Sequence, residues 1–411
     1  MLSEKEKLNR LMMLGIELNQ VHDLDILMEQ ILTEARVFVN ADAGSIYIRD
    51  GNFLDFTYTQ NDTLQKRLGK GEKLIYSTFR MPIDEKSIAG YVAATGRPLN
   101  IANAYEIDAA QPYRFSKNFD ETSDYTTRSI LTIALKATNN KILGILQIIN
   151  AREEETKQVT SFTDNDEKTM THFASIASVA LERAQMTRAI LLRMIRMAEM
   201  RDPNETGAHV NRVGGFAVEI YEKWAHLHNL PQKEIDRNRD ILRMAAMLHD
   251  VGKVAISDLI LKKPGKFNDD EYESMKLHTI LGAQLFVDRQ SDFDDAAAQV
   301  ALDHHERWDG TGYPGYVDIS TGIPDPGFEL PNGKARGKKG EEIHIFGRIV
   351  ALADVFDALS SKRVYKDAWE EHDVLTEIRK NSGLQFDPEL VDIFFSSLDI
   401  IRAIQHRYQS N

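Results

Sequence analysis

The chain of 411 residues contains no cysteine. That absence excludes disulfides, thiolate metal sites and a cysteine nucleophile, so any metal must be held by His, Asp or Glu. No apolar run comes near the roughly 18–20 residues a helix needs to cross a bilayer. The opening MLSEKEKLNRLMML alternates charged and apolar residues instead of placing an apolar core behind a basic segment, so it does not read as a secretory leader. Positive charge is also scarce: 50 Lys and Arg stand against 63 Asp and Glu, a formal net charge of −13. Duplex DNA or an anionic membrane would need a basic patch, and neither partner is expected. With no low-complexity block, the simplest expectation is a cytoplasmic protein.

What is present is a globular composition, 42% hydrophobic and 27% charged, in a chain too long for one ordinary core. The first 160 residues or so read as α+β. Two helices are predicted at about Glu4–Gln20 and Leu24–Phe38. They are followed by "AGSIYIRDGNFLDFTYTQ", two alternating runs joined by Asp50-Gly51, which is a hairpin signal. A second pair, "SILTIALKATNNKILGILQIIN", turns at Asn139-Asn140, and the segment between the hairpins predicts a short helix ending at Gly96 and then a strand. From Asp164 to about Met200 there is no Gly or Pro, and Phe173, Ala177, Ala180, Ala184, Thr187, Leu191, Met194 and Ala198 repeat at 4-3-4-3 spacing. That spacing is the seam of a helix pair, or one face of a single long amphipathic helix. Beyond Asp202-Pro203 the pattern is helical except over residues 310–342, whose density of Gly and Pro rules out one helix. A loop this long is expected to be functional or disordered.

Three of these stretches, "SIAGYVAATGRPLNIAN", "DYTTRSILTIAL" and "ILGILQIIN", resemble the GAF domain over roughly residues 20–160. The resemblance implies an α+β sensor, a central antiparallel sheet with flanking helices, that binds an unidentified small ligand or signal. Without cysteine it cannot carry a thioether-linked chromophore. A module that only dimerises is the alternative.

In the second half, "MLHDVGKVAI" sets His249 beside Asp250 and turns through Gly252 onto Lys253. Alone, such a pair is most often a polar helix end. Four more signals accompany it. Glu205 and His209 lie at i,i+4, one helical turn apart. His278 sits among Leu277, Ile280 and Leu281, and His304 and His305 are in tandem. Asp354 has Ile349, Ala353, Val355 and Phe356 as neighbours, which predicts burial. A carboxylate buried without compensation costs several kcal/mol, and a cation is the simplest compensation. Imidazoles with carboxylates suit Fe or Mn, with Zn, Ni and Co compatible, and helical scaffolds commonly hold two-metal sites between facing helices.

"HDVGKVAI" followed by "HHERWDGTGYPG" resembles the HD-GYP family of metal-dependent phosphodiesterases acting on cyclic di-GMP, over residues 195–411. The resemblance implies two or three divalent metal ions held by His209, His249, Asp250, His278, His304, His305 and Asp354, with Asp250 bridging. It places Glu205 as a further ligand where a third ion is present. Lys253 is implied beside the reactive phosphate, Arg363 and Lys366 on the substrate phosphates, and Tyr313 of the Gly312-Tyr313-Pro314 turn at the substrate. The implied reaction is attack by a metal-bridging hydroxide, giving pGpG and/or GMP. From their positions, Glu306, Asp309 and Asp357 are expected to orient ligand imidazoles. The residues after the turn, 315–342, look longer and richer in glycine than the family pattern, as a lid or a disordered insert would be.

The whole therefore reads as a two-domain protein: a GAF-like sensor over 1–165, a linker helix over 166–200, and an all-α HD-type phosphodiesterase domain over 201–411. A homodimer pairing through the linker helix is expected. The alternatives are a non-catalytic cyclic dinucleotide receptor, another HD-superfamily nucleotide hydrolase, and a metal-free helical scaffold.

Overall fold

In a computed structural model, the structure describes residues 4–68, 74, 79–199, 207–361 and 369–408, with side chains from residue 9 to 198 and beyond 206. Two compact units divide at Arg188, Met1–Arg188 and Ala189–Asn411. Among the described residues, no helix is long and apolar enough to cross a membrane.

The first unit is built on an antiparallel sheet of seven strands: β1 (Ala41–Asp50), β2 (Phe53–Asn61), β3 (Arg80–Pro82), β4 (Leu99–Ile101), β5 (Ile130–Lys136), β6 (Ile142–Arg152) and β7 (Val159–Thr160). Their order is β3-β2-β1-β6-β5-β4, with β7 added at the end of β6. Both predicted hairpins form. Gly51 and Asn140 take the positive φ values, 57° and 64°, that tight turns demand and that these residue types tolerate. The predicted helices also form, Glu4–Leu18 and Leu24–Phe38, the second capped by the Asp23 side chain on the Asp25 and Ile26 amides. The short helix Ile88–Thr95 ends at Gly96 in the left-handed region.

Alternation along β5 divides the two faces of the sheet. Leu131, Ile133 and Leu135 join the core under the helices, and Ala134 joins the core on the other side with Val92 and Ile145. The Gly- and Pro-free stretch is one helix, Asp164–Glu199, that runs through the boundary between units. Its predicted seam is used within the chain. Phe173, Ala177, Ala180 and Ala184 are buried in the core formed with Leu14, Leu18 and Leu27. The physical reason is size, because alanines let the helix lie close against its own domain. Leu191 is buried in a cluster of the second unit, Thr187 and Ala198 are half-buried, and Met194 is 41% exposed. These residues therefore do not form a continuous seam open to a partner helix.

The second unit is helical around a core in which Phe216 and Phe394 each meet Phe356 edge to face and Tyr221 meets Phe346 in the same way. Its long helices Gly207–Leu227, Gln232–Met247, Asp292–Asp303 and Ile345–Ser360 supply most of that core. The Gly- and Pro-rich stretch is neither a helix nor a free insert. Tyr316 stacks on Phe328 at 3.9 Å, Arg336 lies over both rings, and the Arg336 guanidinium is paired with Glu342. Short bridges, Val317 with Pro324 and Glu329 with Ala335, fold the loop back on itself.

Candidate metal centre

Five helix ends or helix faces of the second unit converge on a set of imidazoles and carboxylates. His209 stands in the first turn of Gly207–Leu227, and His249 and Asp250 follow the end of Gln232–Met247. His278 begins the helix His278–Gln284, His304 and His305 close Asp292–Asp303, and Asp354 lies in Ile345–Ser360. Two groups result: Asp250, His278, His304 and His305, and His209, His249 and Asp354, with each group's ligand atoms within 4.8 Å of one another. Asp250 joins them. Its Oδ1 lies 3.2 Å from His278 Nε2 and 3.6 Å from His304 Nε2, and its Oδ2 lies 3.2 Å from His249 Nε2.

The orientation of the rings decides what this cluster can do. The Nδ1 atoms of His249 and His278 face the carbonyls of Ala246 and Met275 at 2.8 and 2.6 Å. That of His304 faces the carbonyls of Val300 and Ala301 at 3.1 and 3.0 Å. A carbonyl only accepts, so Nδ1 must carry the hydrogen and donate it. Each Nε2 is then a lone pair, and these lone pairs point at one another and at Asp250: His278 Nε2 and His304 Nε2 are 3.4 Å apart. Asp250 Oδ1 is buried and accepts no well-formed hydrogen bond among the described residues. Acceptors crowded in this way repel unless a cation lies among them. Protonation is opposed, because burial holds His304 below and His305 well below the ordinary imidazole range. The donor set, neutral imidazole nitrogen and carboxylate oxygen with Nδ1 held from behind, therefore fits transition-metal ions.

Burial pushes the Asp250 carboxyl up, but the charge of the Lys253 ammonium leads the opposing effects, and the carboxyl is held well below the usual carboxylate range. Lys253 Nζ donates to Asp250 Oδ2 at 2.6 Å, one turn along from it. His209 is oriented from behind by Asp357, whose Oδ2 is 2.8 Å from Nδ1. Asp357 is in turn gripped by the Arg212 guanidinium at 2.5 and 2.9 Å. Arg212 is a residue that sequence reasoning missed; an arginine in an apolar helix face, three residues after His209, was the available signal.

The other two expected orienting residues do something else. Glu306 accepts from the Gly315 amide at 2.5 Å and the Lys338 amide at 3.1 Å, so it clasps the two ends of the long loop. Burial pushes its carboxyl up to about 7. Asp309 accepts from Thr311 and Arg307 within the turn, and neither carboxylate touches a ligand imidazole. Beneath the loop, Lys338 donates to the fully buried Asp303 at 2.6 Å. Tyr313 stacks on His305 at 4.9 Å and 23°, and burial raises its phenol, keeping it neutral. Glu205, Arg363 and Lys366 lie outside the described residues.

Comparison with known proteins agrees with this division. Residues 23–181 match the model of the GAF domain, and residues 206–359 match the model of the HD domain. The chain carries a GAF domain followed by an HD domain. A second HD-domain model matches residues 332–390. A cyclic di-GMP phosphodiesterase of Vibrio cholerae is 33% identical over 72% of this chain and 54% of its own length. The cyclic di-GMP phosphodiesterase response regulator RpfG of Xanthomonas campestris is 38% identical over 51% and 48%. A 3'3'-cGAMP-specific phosphodiesterase 2 of Vibrio cholerae is 34% identical over 56% and 38%. The chain thus spans about half the length of these relatives or less. The HD domain is the part that holds the His and Asp cluster.

Proposed function

We propose that the HD domain is a metal-dependent phosphodiesterase that hydrolyses cyclic di-GMP to pGpG and/or GMP. The observation that carries this reading is the convergence of imidazole Nε2 atoms on the two oxygens of Asp250, with every Nδ1 of His249, His278 and His304 engaged on a carbonyl. His278, His304 and His305 would hold one ion and His209, His249 and Asp354 another, with Asp250 contributing one oxygen to each. Glu205 would serve a third. Divalent Fe or Mn held there would supply Lewis-acid activation of water at neutral pH and of the phosphodiester.

The chain's own residues do the rest. Lys253 brings a fixed ammonium to the edge of the cluster, where the phosphoryl oxygens gain charge in the transition state. Tyr313, held neutral and stacked on His305, would offer a hydroxyl donor to the substrate. Arg363 and Lys366 would take the outer phosphate oxygens. The names of the relatives, which include enzymes for cyclic di-GMP and for 3'3'-cGAMP, support a cyclic dinucleotide as the substrate class.

The test is metal analysis of anaerobically purified protein combined with product chromatography after addition of cyclic di-GMP. Two or three equivalents of Fe or Mn with pGpG or GMP are expected. Asp250→Ala and His304→Ala should each lose metal and slow hydrolysis by orders of magnitude. Either variant retaining most of the activity would overturn the reading.

Regulation belongs to the same proposal. The GAF domain would sense a small ligand and act through the helix Asp164–Glu199, in a homodimer formed along that helix. Because Phe173, Ala177, Ala180 and Ala184 are occupied internally, the pairing face would be the opposite one, where Val179, Met186 and Ile190 are exposed.

A further inference from the structure

We infer that Tyr272, with Lys276, forms a shelf on which a purine base of the substrate stacks beside the metal centre. The inference rests on the phosphodiesterase reading and adds a base-binding subsite to it.

The helix Asp269–Lys276 buries none of its residues, yet it carries a tyrosine that is 48% exposed. Core packing therefore does not account for it. The ring instead ends a ladder that leads out of the cluster. His278 meets His305 at 5.1 Å, His305 stacks on Tyr313 at 4.9 Å, and Tyr313 meets Tyr272 edge to face at 6.5 Å. A phosphate at the cluster carries its base on the far side of a ribose, and Tyr272 stands two ring steps from His305 in the outward direction.

The helix that presents the ring is rigidly started. Asn268 and Glu271 form a capping box, and Glu271 also takes Lys263 Nζ at 2.5 Å. Lys276 Nζ lies 4.6 Å from the Tyr272 ring centre and 5.3 Å from that of Tyr313, and it is anchored by Glu273 at 2.8 Å. Glu273 also holds Lys334 of the long loop at 2.8 Å, so the loop borders the shelf. A half-exposed aromatic ring with one ammonium over a face matches the chemistry of a purine, whose flat face stacks on the ring and whose O6 or N7 accepts from the ammonium.

The test uses metal-loaded full-length protein and two phosphodiesters, cyclic di-GMP and methyl p-nitrophenyl phosphate, which has no purine. Losing one base stack, worth about 1–3 kcal/mol, should raise KM for cyclic di-GMP by roughly 5- to 150-fold in Tyr272→Ala. Its kcat, its metal content and its hydrolysis of methyl p-nitrophenyl phosphate should stay near wild type. Tyr272→Phe, which keeps the ring, should behave as wild type. An unchanged KM in Tyr272→Ala would overturn the shelf, and so would an equal loss on both substrates, which would make Tyr272 only a prop for Tyr313. Absence of cyclic dinucleotide hydrolysis by the metal-loaded wild type would overturn the proposed function itself.

Discussion

Asp357 separates what a ligand does from what a ligand's support does. It is 1% exposed, its Oδ2 is shared by His209 and Arg212, and its Oδ1 accepts from Arg212. Burial pushes its carboxyl up, and the hydrogen bonds from His209 and Arg212 more than offset that. Replacing it with asparagine keeps the volume but removes the charge that fixes the His209 ring and balances the guanidinium. Asp357→Asn is expected to weaken metal binding by roughly 10–100-fold, as loss of such a support typically does. Titration of metal-depleted protein measures it. Unchanged affinity would show that His209 is held by its helix alone. By contrast, Glu306 lies next to the tandem histidines in sequence yet acts on the loop. Proximity along the chain did not reveal which way its side chain turns.

At the scale of elements, the packing of the short 3-10 turn Val251–Ala255 against His278–Gln284 sets the distance between Asp250 and His278. Gly252 makes that approach. A Cβ there would lie 1.9 Å from the His278 carbonyl oxygen and 2.4 Å from the Gly282 nitrogen, both backbone atoms that no rotamer change can move. Gly252→Ala should therefore separate the two elements, destabilising the HD domain by about 1–3 kcal/mol or more and loosening the metal site. Chemical denaturation with and without metal would detect both effects. A variant of wild-type stability that still binds metal would mean that the elements can part without cost. This glycine sits between His249-Asp250 and Lys253 in MLHDVGKVAI, and its role there is space, since its φ is not in the left-handed region.

At the scale of the molecule, the long helix serves two cores. Its first half belongs to the GAF domain core, where Ala180 is fully buried. Ala180→Leu should overpack that core by roughly 1–3 kcal/mol and lower the unfolding temperature of the GAF domain, with the metal content unchanged. Differential scanning calorimetry of the full chain would register it. Met186 is 66% exposed on the same helix. If the proposed dimer uses that side, Met186→Glu should shift the full chain towards monomer in sedimentation velocity without altering thermal stability. A dimer unaffected by the charge would place the contact elsewhere.

The helices Glu4–Leu18 and Leu24–Phe38, both hairpins and the turn at Gly96 were legible because they depend on local rules: apolar period, capping side chains, and residues that accept positive φ. The candidate site residues were legible as types, because few side chains hold metal; the predicted burial of Asp354 is only partial, its side chain being 15% exposed. Sequence alone thus determined the division into an α+β and a helical part, the exclusion of thiolate chemistry, and the candidate imidazoles and carboxylates, of which all but Glu205 lie among the described residues. Tertiary structure decided the rest. It turned every Nε2 of His249, His278 and His304 towards Asp250. It also brought Arg212 to Asp357, and tied the 315–338 loop to Glu306. It spent the alanine seam inside the chain's own core, where the 4-3 spacing was equally compatible with a partner helix. The reason is that periodicity states which side of an element is apolar, whereas the surface that covers that side comes from residues distant in sequence.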